Sequence, residues 1–223
     1  MYYYWMNYNE IEALAKQRYS KLGPAVVQAL KRRSFDAYYF DNEAEAVDKI
    51  ISLIPKDHQV SWGGSMTMTC LGVQERLARE GYNLLDRDKA ATPEERTEIS
   101  RRALLCDTYL SGTNALSEDG QLINIDGYGN RVAAMIFGPK QVIVAAGMNK
   151  VAKTYKDALV RARTVAAPLN VQRFPNMRPP CNDGGTCVDC MSPDTICSFL
   201  VTTRFCRVVG RIKVILIGKD LGF

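Results

Sequence analysis

Histidine is almost absent: the chain of 223 residues carries one, His58, in the polar loop Pro55-Lys56-Asp57-His58. A Ser–His–Asp triad would have to use it, and two- or three-histidine metal sites are impossible outright. In that loop it reads as a surface residue. Long apolar runs are missing as well. No stretch approaches the roughly 18 apolar residues needed to span a bilayer. The opening M-Y-Y-Y-W-M-N-Y-N-E lacks the basic and apolar regions of a signal peptide. These absences predict a cytoplasmic protein with no membrane partner. The net charge of +5 is small and its basic residues are scattered. The densest basic run, Lys31-Arg32-Arg33, falls at the end of an expected helix, where cations suit the dipole. Aromatic residues are not interleaved with a basic strip, so nucleic acid is not an expected partner. Neither a Walker A sequence nor G-x-G-x-x-G occurs, and ATP and NAD are therefore not indicated.

What is present fits one sizeable α/β domain, 36–223, preceded by a helical segment, 1–35. Periodicity predicts a helix over 8–31, with a break or kink at Gly23-Pro24. Strands are expected at 37–40, 59–62, 82–85, 108–111, 122–126, 142–146, 208–209 and 214–217. Leu122 to Asp126 alternates as a half-buried strand does, whereas Val142 to Ala146 is continuously apolar, as in a strand covered on both faces. Helices are expected from Asp41, as N-cap, to Ile54, over 66–80, from Thr92 to about Cys106, and over 150–163. Strands alternating with helices predict a largely parallel sheet.

Three segments carry candidate chemistry. In V-S-W-G-G-S-M-T a strand runs through a glycine turn into a helix. Gly63, Gly64, Ser65 and Thr67 would offer backbone and hydroxyl donors to a small anion at the C-terminal edge of a sheet. The bland reading is a plain turn with an N-cap. From Ser111 to Val132, polar residues crowd one short strand. Hairpin turns account for Asp119-Gly120 and Asp126-Gly127. Asn114, Glu118, Asn124, Asn130 and Arg131 remain as a polar wall for a ligand; Asn114, Asp126 and Asn130 are the expected ligand contacts, and Glu118 or Asp126 an acid, base or nucleophile.

The third segment is C-N-D-G-G-T-C-V-D-C-M-S-P-D-T-I-C, within the cysteine-rich loop 179–200. It holds Cys181, Cys187, Cys190 and Cys197, while only Cys70, Cys106 and Cys206 lie elsewhere. In a reducing compartment a disulfide knot is disfavoured. Four thiolates without histidine suit an iron–sulfur cluster or tetrahedral zinc. A single C-x2-C with more distant outer cysteines fits a chain wrapped around a cubane better than a zinc ribbon. Iron–sulfur is thus the expected cofactor and zinc the alternative. Cys70 and Cys106, in expected helices with no base nearby, read as small apolar residues.

The run S-W-G-G-S-M-T, the stretch G-T-N-A-L-S-E-D-G-Q-L-I-N-I-D-G-Y-G-N-R-V-A-A-M-I-F-G-P-K, and V-I-V-A-A-G-M-N-K resemble the lactate-utilisation (LUD) domain family. The ending R-I-K-V-I-L-I-G-K-D-L-G-F is similar to that of its short, single-domain members. The resemblance implies a Rossmann-like fold similar to the ribose-5-phosphate isomerase, glucosamine-phosphate deaminase and CoA-transferase group. In those relatives a Gly-Ser/Thr turn after a strand holds phosphate or a related anion. It also implies a role in lactate or related 2-hydroxy-acid utilisation, as an electron-transfer or accessory component with redox partner proteins. By fold analogy Glu118 stands where a CoA-transferase-like carboxylate would. An enzyme acting on a sugar phosphate or CoA ester, and a zinc-stapled binding subunit, are the alternatives; a homo-oligomer is left open.

Overall fold

The computed structural model describes residues 7–223. The tyrosine-rich start, residues 1–6, lies outside them. Helix α1 spans Tyr8–Arg32 and begins with a capping box: Asn7 Oδ1 accepts from the Glu10 amide at 3.1 Å, and Glu10 Oε2 from the Asn7 amide at 2.7 Å. It passes through Pro24 without ending. Val26, Val27 and Leu30, all buried, anchor the turns beyond the proline, so packing overrides the local break signal.

There follow β1 (Asp36–Phe40), α2 (Glu43–Ser52) and β2 (Gln59–Trp62). Asn42, one residue after the expected Asp41, caps α2, its side chain accepting from the Glu45 amide at 2.9 Å. The helix expected over 66–80 is two short ones, α3 (Met66–Cys70) and α4 (Val73–Arg79). Gly72 divides them at φ 65°, a left-handed conformation that glycine adopts without penalty. After β3 (Asn83–Leu84), Thr92 and Pro93 start α5 (Pro93–Arg102) as the sequence signals, and β4 covers Thr108–Gly112.

The chain continues through β5 (Ala115–Ser117), β6 (Leu122–Asp126), α6 (Asn130–Ile136), β7 (Gln141–Gly147) and β8 (Val151–Ala152). Thr154, not Lys150, opens the next helix, α7 (Tyr155–Arg161), through a capping box with Asp157. A wide π turn, Ala162–Ala166, carries it into α8 (Ala167–Val171). Helix α9 (Pro180–Gly184) starts the cysteine loop; β9 (Phe199–Thr203) and β10 (Ile212–Ile217) complete the described elements. Val208 and Val209 are exposed and form no strand.

The main sheet has six parallel strands in the order β1-β10-β7-β4-β2-β3. Its central strands alternate between two cores. Val142, Val144, Ala146, Val214 and Leu216 face α1 and α6; Ile143, Ala145, Ile215 and Ile217 face α2, α3 and α4. That two-sided burial is why Val142–Ala146 of β7 and Val214–Ile217 of β10 are unbroken apolar runs. A second, four-stranded sheet, β8-β5-β6-β9, covers the first core with Leu116 and Leu122. Its other face packs Ala115, Ile123 and Ile125 against Ala158 and Ala162. Strand β6 is therefore buried on both faces, Asn124 included, not half-buried. No helix is long and apolar enough to cross a membrane among the described residues.

Candidate anion pocket and cysteine cavity

The order of strands reverses between β2 and β4: β3 lies outside β2, and the chain then returns to its inner side. Open α/β sheets bind ligands at such a point, beyond the strand C-termini. A cavity of about 400 Å³ lies there, walled by Gly64 and Ser65 after β2, Gly112 to Asn114 after β4, Asp126 to Asn130 after β6, and Lys150 after β7. Five of the seven residues expected to hold a ligand, Gly64, Ser65, Asn114, Asp126 and Asn130, line it. Gly63 instead packs beneath Arg131 and the Tyr109 hydroxyl. Thr67 is fully buried below the floor, and Ser65 Oγ caps α3 by accepting from the Met68 amide at 3.3 Å.

Glu118 does not reach this cavity. It pairs with Lys153 at 2.7 Å in a separate cleft beside α1. The carboxylate singled out by the CoA-transferase analogy thus lines a different cleft from Gly64 and Ser65. Asp126 is committed to structure: Oδ1 accepts from the Tyr128 and Gly129 amides (3.1 and 2.9 Å), and Oδ2 from the Val132 amide at 3.3 Å. These bonds seat the start of α6, where a carboxylate also suits the dipole; a helix, not a hairpin, follows Asp126-Gly127.

Of the cavity's cations the sequence pointed to Arg131 alone as part of a polar wall; Arg87, Arg96, Arg173 and Lys150 were not singled out. Arg131 is buried among the side chains of Asn124 (2.7 Å) and Asn114 (3.1 Å) and the carbonyls of Ile125 (2.6 Å) and Gly112 (3.3 Å). Asp126 stands 3.7 Å away and offsets the cost of its burial. Arg87, Arg96 and Arg173 complete the wall. Asp88, bound to Arg96 at 2.8 Å and to the Trp62 indole at 2.9 Å, serves the first two. Burial alone would raise its pKa, but the indole and both guanidiniums outweigh it and hold it below the ordinary range. The buried Nε of Arg87 stands 3.9 Å from Asp88 Oδ1 and has no hydrogen-bond partner among the described residues.

Lys150, 4% exposed, donates from Nζ to Thr67 Oγ1 at 2.9 Å and makes no ion pair among the described residues. Burial, then repulsion by Arg161 and Arg131, lowers its pKa to about 7. Arg131 had a sequence cue in the polar stretch before Val132, and Lys150 in the ending of V-I-V-A-A-G-M-N-K. The arginines come from unrelated loops and helices that meet only in the fold.

A second cavity of about 250 Å³ adjoins the first. Cys181, Cys187, Cys190 and Cys197 all line it, with Arg163, Val188 and Leu200. Asp189 makes this possible: at φ 53° it turns the C-V-D-C segment back on itself, and its carboxylate is tethered to Arg163 on the π turn. Burial pushes the Cys197 thiol up to about 11, and the other three cysteines add to it; Cys181 is raised for the same reasons. No trio of His, Cys, Asp or Glu among the described residues stands close enough together to grip a metal ion as it is.

Cys206 lies apart, buried in the first core with its thiol donating to the Val208 carbonyl at 2.9 Å. Cys106 is also buried there, its thiol raised to about 12, while Cys70 is exposed. His58 is half-buried, with Nδ1 2.8 Å from Thr108 Oγ1. Ile125, Thr195 and Ile196 belong to the walls of both cavities. Gly127 seals the junction, since a Cβ there would stand 3.3 Å from Ile196 Cα.

A doubly covered parallel sheet with a cationic cavity at its switch point defines a Rossmann-like α/β protein. The LUD-domain profile matches residues 24–217, and the chain belongs to that family. It is similar to a DUF162 family protein from Deinococcus radiodurans at 13% identity and TM-score 0.51, over 89% of this chain and 97% of that one. Weaker likenesses are to ribose 5-phosphate isomerase A from Neisseria gonorrhoeae (14% identity, TM-score 0.33, 51% and 54% of the two chains) and to ribose 5-phosphate isomerase from Plasmodium falciparum (13%, 0.33, 50% and 52%). No curated protein matches the chain.

Proposed function

We propose that this protein is a redox component of lactate or related 2-hydroxy-acid utilisation. In this reading it binds a small carboxylate in the cationic cavity and carries an iron–sulfur cluster on the cysteine loop beside it. The observation that supports the reading is the shared wall: four cysteines line one cavity, and Ile125, Thr195 and Ile196 separate it from the arginine-lined one.

The donor set fits a cluster in kind. Four thiols, no histidine and largely apolar neighbours match iron–sulfur ligation. Cys181, Cys187, Cys190 and Cys197 would hold it, drawing closer than they now stand, and the crowding that raises two of these thiols would be relieved by bound cations. When bound, the cluster supplies one-electron transfer. The chain's own residues do the rest. Arg87, Arg96 and Arg173 attract the anion, and guanidiniums pair with carboxylates in a fork geometry. Ser65 presents a hydroxyl, and Ile196 keeps solvent from joining the two cavities.

The test is iron, zinc and acid-labile sulfide per chain on protein purified without oxygen. About four iron and four sulfide are expected. Both should be lost, with the helical signal kept, when Cys187 and Cys190 are changed to alanine. One zinc and no sulfide would make the loop a structural staple. The count of cations over carboxylates supports a second reading, an enzyme for a sugar phosphate or CoA ester. That reading gains if such ligands, and not lactate or pyruvate, raise the melting temperature.

A further inference from the structure

Lys150 is a buried amine of the anion cavity without an ion-pair partner among the described residues. Its hydrogen bonds show which form of the amine the site accommodates. Thr67 donates its hydroxyl proton to the Leu221 carbonyl at 3.2 Å, so toward Lys150 it can only accept. An ammonium would bring three N–H donors to this buried position, and Thr67 satisfies one. A neutral amine brings two donors and a lone pair, leaving fewer unmet. The surroundings work in the same direction: Arg131 and Arg161 repel a charge there, and Lys150 has no carboxylate partner among the described residues. A lysine desolvated beside other cations is how proteins make an amine nucleophilic near neutral pH.

We propose that Lys150 is a nucleophile that captures a 2-oxo carboxylate in this cavity as an imine. The inference rests on the reading that the cavity takes small carboxylates and adds what becomes of the carbonyl beside the carboxylate. The Nζ lone pair forms a bond to the carbonyl carbon. The carbonyl oxygen takes a proton and becomes the hydroxyl of a carbinolamine. That hydroxyl leaves as water with a second proton as the nitrogen lone pair closes the C=N bond. Of these two protons the amine itself releases one on bonding and solvent supplies the other; both leave in the water, and the positive charge the second brought remains on the iminium nitrogen. Carbonyl plus amine plus one proton thus gives iminium plus water, and no oxidant or reductant is needed. Ser65 lines the same cavity and its Oγ only accepts, from the Met68 amide, so its O–H is free to hand over a proton. The site would hold the 2-oxo product of 2-hydroxy-acid oxidation covalently and reversibly.

The test is reductive trapping. The protein is incubated with pyruvate and cyanoborohydride at pH 7, digested, and mapped by mass spectrometry. One N-(1-carboxyethyl)lysine per chain is expected, concentrated at Lys150. A pKa near 7 gives that amine an unprotonated fraction on the order of a thousandfold above an ordinary lysine at this pH. The adduct should disappear in Lys150→Arg, but the wild-type map decides even if that variant does not fold. Modification spread evenly over surface lysines, or none, overturns the proposal. Melting with pyruvate alone separates the two layers. Stabilisation without an adduct removes the nucleophile and keeps the pocket; no stabilisation and no adduct removes both.

Discussion

Arg131 and Lys150 are both buried cations in one cavity, and they are handled in opposite ways. Arg131 is surrounded by acceptors and by Asp126, so its charge is kept; Lys150 has one hydroxyl and two cationic neighbours, so its charge is suppressed. Replacing Arg131 with methionine should destabilise the fold by about 3–5 kcal/mol, because Asp126 and two carbonyls lose a buried partner; denaturant titration measures it.

Lys150→Met should act in the other direction. The unfolded chain keeps this proton up to the ordinary lysine range near 10.4, and the folded chain only to about 7. Between those values the unfolded state binds more protons, so folding gains as pH rises. The burial cost is full below pH 7 and fades toward 10. Lys150→Met should therefore melt above wild type most clearly at pH 6, with the gap narrowing by pH 9. Glu118→Gln should leave any anion-induced melting shift unchanged, since Glu118 pairs with Lys153 in another cleft. From sequence Glu118 and Asp126 looked alike, carboxylates at strand ends; which one meets the cavity depends on where their strands lead.

At the scale of elements, local chemistry was legible where it acts alone and misleading where packing decides. Thr92-Pro93 starts α5 as it should. Gly23-Pro24 fails to stop α1, because the buried residues after it hold the helix on the sheet. Strand β9 gave no usable signal: among the described residues it pairs only with β6, at the edge of the small sheet, and it is partly exposed. The cysteine loop depends on two backbone positions. Asp189 must stay left-handed, and Gly127 must stay small for Ile196 to approach. Gly127→Val should lift the loop from the end of β6. Cys181, now buried, would then alkylate faster, while Cys106 in the main core stays protected; timed alkylation read by mass spectrometry compares the two.

For the whole molecule, the parallel α/β class followed from strands alternating with helices and from the apolar runs of β7 and β10. The strand order did not, because parallel pairing is set by crossovers that leave no local mark. Nor did the cavity, whose arginines come from the segments after β3, in α5, after β5–β6 and after α8. The architecture places the cysteine loop beside a switch-point pocket, with a shared wall of Ile125, Thr195 and Ile196. That juxtaposition is the centre of the account. Its most direct test is to record the visible absorption of the anaerobically prepared protein while lactate or pyruvate is added. The account predicts a spectral change that saturates over the same concentrations that raise the melting temperature. Binding that raises the melting temperature and leaves the spectrum of a cluster-loaded protein unaltered would contradict it.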